Sequence, residues 1–224
     1  MTPSLAIVIP VGPGDFAWQG LLPQLENADA SEILLVLPSD SPSTAIPAHD
    51  DRLRVIASRA GRARLLNAGA QASHADWLWF LHADSRLESA TLQGLHRFVA
   101  GDSTELGYFD LHFLDDGPRC TAINAFGAHL RSRWLGLPFG DQGFVMPRRA
   151  YDKLGGFDES LECGEDHALV WRARRMAIPI RALSAPLYTS ARKYAERGWW
   201  RTTSQHLRMS WQQARQYSKT GAQQ

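Results

Sequence analysis

Trp77-Leu78-Trp79-Phe80-Leu81-His82-Ala83-Asp84 is an apolar run that stops abruptly at a His-x-Asp pair. Five bulky apolar residues in so short a run read as a strand buried on both faces, as in the middle of a parallel sheet. Open α/β folds place their ligands at the carboxyl ends of such strands. An aspartate there, followed by the polar Ser85-Arg86, offers a divalent cation a hard oxygen ligand and leaves positions open for a phosphate. Asp84 has a second reading, as the cap of a helix that starts near Ser89.

Three apolar runs precede this one: Leu5–Val11, Ile33–Leu37 and Leu53–Ile56. Between the first two, Phe16, Trp18, Leu21, Leu22 and Leu25 recur at helical spacing. Between the third and the fourth, Arg62–His74 carries a small, closely packing face of Leu65, Leu66, Ala68, Gly69 and Ala72. Strands alternating with helical patterns predict βαβ units and a parallel sheet. Pro38–Pro47 is a loop by composition.

The second half changes character. Gly107–Leu114 alternates polar and apolar residues as a half-buried strand does, and Thr121–Leu135 is a helical stretch. The turn-rich Leu137–Gly143, a short strand Phe144-Val145-Met146 and a second turn at Gly155–Asp158 follow. Glu165–Met176 reads as a helix opening on two acids, which suits the positive end of the helix dipole. A last helix is expected over roughly Glu196–Tyr217, with Trp200, Leu207, Trp211 and Ala214 on one stripe and Arg201, Arg208 and Arg215 on another.

A hydrophobic share of 44% with 21% charged residues is that of an ordinary folded domain, and no stretch approaches the ~20 apolar residues of a membrane span. Met1-Thr2-Pro3 leads straight into a core-like strand, so no signal peptide is expected. Cys120 and Cys163 form neither a disulfide framework nor a zinc spacing and read as reduced thiols of a cytoplasmic protein. The net charge of +1 hides an asymmetry. Residues 181–224 hold eight Lys or Arg against Glu196 alone, whereas residues 1–180 hold 16 basic and 22 acidic side chains. A basic tail on an acidic body points to an anionic partner or surface.

Two more constellations carry chemistry. Arg59, Arg62 and Arg64 surround Gly61 at the start of a helix that includes Asn67, an arrangement that suits an anion or, on the plainer reading, a solvated helix face. Gly140-Asp141-Gln142-Gly143 and Gly164-Glu165-Asp166-His167 place carboxylates beside glycines, where they serve as a general base or as turn and capping residues.

Leu5–Val11, Asn67-Ala68-Gly69, Trp79–Asp84, Gly155–Glu159 and Glu165-Asp166 resemble, in order, the motifs of the family 2 glycosyltransferases, which have the GT-A fold. Gly61–Arg64, Leu81–Asp84 and Gly140–Gly143 are more narrowly similar to a bacterial subgroup of small single-domain members with a His-Ala-Asp version of the Asp-x-Asp motif. The resemblance covers about residues 4–195. It implies an α/β, Rossmann-like mixed and mostly parallel sheet flanked by helices, with a C-terminal helical extension. The division expected is a catalytic domain over 1–195 (nucleotide-sugar half 1–105, acceptor half 106–195) and a helix and tail over 196–224.

The activity implied is metal-dependent inverting transfer of a sugar from a UDP- or GDP-linked donor to an acceptor hydroxyl. Asp84, with His82, would bind Mn²⁺ or Mg²⁺. Asp166 would be the base, with Glu165 beside it as the alternative. Pro10, Val11, Asp40, Arg59, Arg62, Arg64, Asn67, His82, Ala83 and Asp84 would line the donor side, and Asp141, Gln142 and Gly143 the acceptor side. Three departures stand out: His82 replaces the first aspartate of Asp-x-Asp, Leu37-Pro38 replaces an acidic pair near Asp40, and Gly12-Pro13-Gly14-Asp15 replaces an Asn-Glu. Imidazole favours Mn²⁺ over Mg²⁺.

The tail, with Arg192, Lys193, Arg197, Trp199, Trp200 and Arg201, has three readings: packing on the domain or a second subunit, a peripheral contact with the inner face of the membrane, or a lid of Arg192 and Lys193 over the donor phosphates. No nucleic acid is expected as a partner. The functional alternatives are a catalytically degenerate nucleotide-sugar-binding or partner-binding protein of the same fold, and a nucleotidyltransferase. The latter lacks its cation-bearing loop, since Gly12–Asp15 has no nearby Lys or Arg.

Overall fold

A computed structural model describes residues 3–41, 50–101, 103–204 and 208. Its seven strands are β1 (Leu5–Pro10), β2 (Glu32–Pro38), β3 (Leu53–Ser58), β4 (Trp77–Phe80), β5 (Leu106–Phe113), β6 (Phe144–Pro147) and β7 (Ile180–Thr189). They form one sheet in the order β3-β2-β1-β4-β6-β5-β7. β3, β2, β1 and β4 run parallel; β6 is antiparallel to both β4 and β5, and β7 is parallel to β5. Only β6 therefore opposes the common direction, giving the mixed, mostly parallel sheet expected.

Alternation along the central strands builds two cores. Ala6, Val8, Leu34, Val36, Leu78 and Phe80 face one side, where α1 (Arg62–Ala72), α4 (Arg148–Leu154) and α5 (Glu165–Arg175) cover them. Leu5, Ile7, Ile9, Ile33, Leu35, Trp77 and Trp79 face the other, against Trp18, Leu21 and Leu25 and against α2 (Ser89–Val99). The result is three layers, helix on sheet on helix. α1 lies so close to the sheet that a Cβ on Gly69 would stand 2.4 Å from Val8 Cγ1.

The Phe16–Leu25 segment departs from the expected α-helix. It forms two 3₁₀ turns, Ala17–Gly20 and Leu22–Leu25. Pro23 has no N–H to continue an i→i−4 ladder, so the segment breaks while its apolar residues still reach the core. α3 (Thr121–Leu135) has the bounds read from the sequence and ends on Gly136 at φ 63°.

At the C-terminus the expected continuous helix is interrupted. α6 (Arg192–Arg197) stops at Gly198, whose φ of 82° lies in the left-handed region, and residues 199–204 form a separate helical stretch. Leu207, Trp211, Ala214 and Arg215 lie outside the described residues, as does much of the Pro38–Pro47 loop. No helix among the described residues is long and apolar enough to cross a membrane.

Candidate active site

The chain leaves β1 toward β2 and β3 on one side and returns to place β4 on the other. The carboxyl ends of β1 and β4 are therefore the switch point of the sheet, where a crevice must open. Two adjoining cavities fill it. The larger, about 680 Å³, runs past Pro10, Gly12–Asp15 and Pro38 to Gly61 and Arg62 at the start of α1, and to His82, Ala83 and Asp84 beyond β4. Ser190, Arg192, Lys193 and Glu196 close its far side. The smaller, about 290 Å³, is walled by Phe113, Phe139, Asp141, Glu165, Asp166, Thr189 and Tyr194. Arg62, His82, Asp84, Ser190 and Lys193 belong to both.

Arg62 stands at the centre. Its Nε lies 2.9 Å from Glu165 Oε1, and its guanidinium touches His82 Nε2. Burial, then the charges of Arg62 and Lys193, hold the His82 pKa well below 6.5, so the imidazole is neutral at pH 7. Burial raises the Glu165 carboxyl, opposed by Arg62 and reinforced by Asp166.

Asp166 ties α5 to the turn that carries Asp141. Its Oδ2 accepts from the Gly140 N–H (2.7 Å) and its Oδ1 from the His167 N–H (2.8 Å). Burial pushes its pKa up, but His167, Arg62 and these N–H donors outweigh it, and the net shift is downward. Gly140 must be glycine-sized here: a Cβ would sit 3.1 Å from both Arg62 Nη2 and Asp166 Oδ2.

Asp141 has the opposite electrostatics. Burial raises its pKa to about 6 against the pull of Arg131, and the nearby carboxylates of Asp166 and Asp84 add to the rise. Among the described residues its buried Oδ1 has no hydrogen-bond partner. Behind it, the Arg131 guanidinium lies 3.0 Å over the Phe139 ring, whose plane stacks on His167 with centroids 4.2 Å apart. This stack fixes the turn that presents Asp141. Burial also lowers the Arg131 pKa to about 10 and lifts the Tyr194 phenol to about 12.

Asp84 is not a helix cap. Glu88 caps α2, in a reciprocal box with Thr91, and the Asp84 carboxylate faces the cavities with one Oδ1 3.4 Å from Thr189 Oγ1. Among the described residues no group of three His, Cys, Asp or Glu side chains could hold a metal unaided. The Asp84 carboxylate, which accepts only a long hydrogen bond from Thr189 among the described residues and opens on both cavities, nevertheless fits Mg²⁺ or Mn²⁺ held largely by substrate phosphates. His82 fits less well as a ligand, because its Nε2 is engaged by Arg62.

Of the remaining residues read from the sequence, several stand away from the cavities. Asn67 is buried and spends its amide on Phe157, Glu159 and Tyr151. Gln142 is fully buried, bonded to Phe109 O, Ser132 Oγ and Phe139 N. Gly143 lies behind the cavity, with no room for a Cβ between Leu187 and Trp79. Val11 is core, and Arg64 turns to Ala60 O and Glu159. Asp40 and Arg59 are exposed and line neither cavity, whereas Asp15 lines the larger one. Sequence reading did not single out Phe113, Phe139, Arg131, Thr189, Ser190 or Tyr194. The β5 alternation placed Phe113, but nothing local shows that it meets Tyr194 edge-on at 5.5 Å.

No family model matches this chain. No curated protein matches it either. Solved structures do: the crystal structure of S. aureus TarS aligns with a TM-score of 0.64 at 16% identity, covering 85% of this chain and 37% of that one. A second structure, of S. aureus TarS 1-349, aligns with the same TM-score and identity over 84% of this chain and 60% of that one. The chain thus spans less than two thirds of either neighbour, and at this identity the likeness is one of fold.

Proposed function

We propose that the protein is a glycosyltransferase that moves a sugar from a nucleoside-diphosphate donor in the larger cavity to an acceptor hydroxyl in the smaller one. The observation that carries this reading is that the two cavities meet at Arg62, His82, Asp84 and Lys193, with Arg192 beside Lys193 on the larger and Asp141, Glu165 and Asp166 on the smaller. The glycosyltransferase-like fold shared with TarS supports it, as does the order of the family 2 motifs.

In this reading Arg62, Lys193 and Arg192 bind the diphosphate, and the open first turn of α1 adds its N–H groups. A divalent cation held by Asp84 would neutralise charge that builds on the departing diphosphate. The acceptor oxygen attacks the anomeric carbon as the bond to the β-phosphate oxygen breaks, with inversion, and a carboxylate takes the acceptor proton. Asp166 holds that role through the family resemblance. Asp141 is the second reading, favoured by its unpartnered Oδ1 and a pKa of about 6, closer to working pH.

Calorimetric titration of UDP and GDP, with and without Mn²⁺, into wild type and Asp84→Ala tests the proposal. The expected result is metal-dependent binding of one nucleotide that the variant loses with its thermal midpoint unchanged, since Glu88 rather than Asp84 caps α2. Absence of binding to the folded wild type, or unchanged metal-dependent affinity in the variant, overturns it.

A further inference from the structure

The outer face of α3 carries a stripe of large apolar side chains that nothing among the described residues covers. Ile123, Phe126, Leu130 and Trp134 follow one another at three- and four-residue spacing, so they share one face. They are 63%, 64%, 40% and 80% exposed. The opposite face holds the buried Thr121, Ala128 and Ser132, and the Tyr108 hydroxyl donates to Ser132 O. The stripe is therefore not a helix turned the wrong way round. Its inner face is already satisfied.

The 199–204 helical stretch extends the same surface. Trp199 Nε1 donates to Asn124 Oδ1 (2.6 Å), and Asn124 Nδ2 donates to Thr203 Oγ1 (3.0 Å). That leaves Trp200 80% exposed beside α3. Residues 119–135 and 190–204, with Arg208, lie on this side of the molecule and hold eight Lys or Arg and one acid, Glu196. Arg131 is buried, Arg133 is paired with Asp110, and Arg192 and Lys193 line the larger cavity, which leaves, among the described side chains, Arg119, Arg201 and Arg208 against Glu196.

We propose that this face docks the protein on an anionic lipid surface, with the α3 stripe and Trp200 in the interface and the surrounding cations on the headgroups. Tryptophan suits the interfacial depth, and apolar side chains ringed by Lys and Arg are what a peripheral helix needs to bind acidic lipid. Charge argues against the other occupants. A second copy would bring the same positive face, and residues 209–224 carry Arg215 and Lys219 with no acid. The inference does not depend on the transfer reaction.

Co-sedimentation of the full chain with phosphatidylcholine vesicles, with and without phosphatidylglycerol, tests it, alongside sedimentation equilibrium without lipid. The expected result is a monomer that binds only the phosphatidylglycerol vesicles and is released by salt. The double variant Phe126→Ser/Trp134→Ser should bind at least about tenfold more weakly with an unchanged thermal midpoint, because both side chains face solvent. Should that variant not fold, Trp200→Ser is read in its place, with a loss of about tenfold expected. No binding to phosphatidylglycerol vesicles, equal binding to both vesicle types, full binding by the variants, or a dimer that the double variant dissolves would each overturn the proposal.

Discussion

Asn67→Ala should damage stability and spare nucleotide binding at the proposed donor site. Asn67 is 7% exposed and makes four hydrogen bonds. Its Nδ2 donates to Phe157 O (2.9 Å) and Glu159 Oε1 (2.8 Å), and its Oδ1 accepts from the Tyr151 hydroxyl (2.7 Å) and the Phe157 N–H (2.8 Å). Truncation strands three buried polar groups, the Phe157 N–H and C=O and the Tyr151 hydroxyl, at about 1–3 kcal/mol each. Glu159 is half exposed and adds little. Local collapse is blocked by Gly156, whose φ of 74° and close approach to Asn67 and Tyr151 fix the turn. Water entering the gap recovers part of the loss, which leaves about 4 kcal/mol. For a chain of this size that lowers the thermal midpoint by roughly 8–16 °C. The assay is denaturant and thermal unfolding, paired with nucleotide titration below the melting range. A loss under about 1 kcal/mol, or weaker nucleotide binding at unchanged stability, would refute the structural role and return Asn67 to the donor side.

The two candidate bases separate by pH. With Asp141 as base, activity falls as pH drops through about 6, whereas with Asp166 the acid limb lies below the ordinary carboxylate range; a kcat–pH profile decides between them. Asp141 also bears on stability: its folded pKa of about 6 exceeds the ordinary 3.8, so the folded state keeps a proton that the unfolded chain has released. Stability therefore falls as pH rises from 3.8 to about 6 and stays lower above that window, and Asp141→Asn should stabilise the protein at pH 7 by up to about 3 kcal/mol in urea unfolding. No gain at pH 7 would show that the carboxylate is adequately solvated. Gly69→Ala should cost about 1–3 kcal/mol despite alanine's better helix propensity, because the new methyl meets Val8 and Val36; a neutral or stabilising result would mean that α1 lifts freely from the sheet.

Local apolar pattern is enough to place the central strands and most of the helices. Trp77–Leu81 reads as a strand buried on both faces, and the helical periods over Arg62–His74, Thr121–Leu135 and Glu165–Met176 are local signals that became α1, α3 and α5 within two residues at each end. Pro23 and Gly198 are local breakers: the first leaves two 3₁₀ turns where the spacing predicts an α-helix, and the second ends α6. Order along the chain also shows which residues lie at the crevice, since the carboxyl ends of parallel strands open onto it.

What each polar side chain does there was decided only by tertiary structure. Asn67 and Arg62 lie on the same helix, yet Asn67 turns to Phe157 and Arg62 to Glu165, partners about 90 and 100 residues away. Adjacent Asp141 and Gln142 divide likewise, one toward the cavity with an unpartnered oxygen and the other into the interior with every polar atom bonded. Composition and spacing fix where the backbone goes, because burying apolar surface dominates and is periodic in the chain. The direction of a polar side chain and its pKa depend on which donors, charges and apolar walls the finished fold brings within a few ångströms, and these come from distant parts of the sequence.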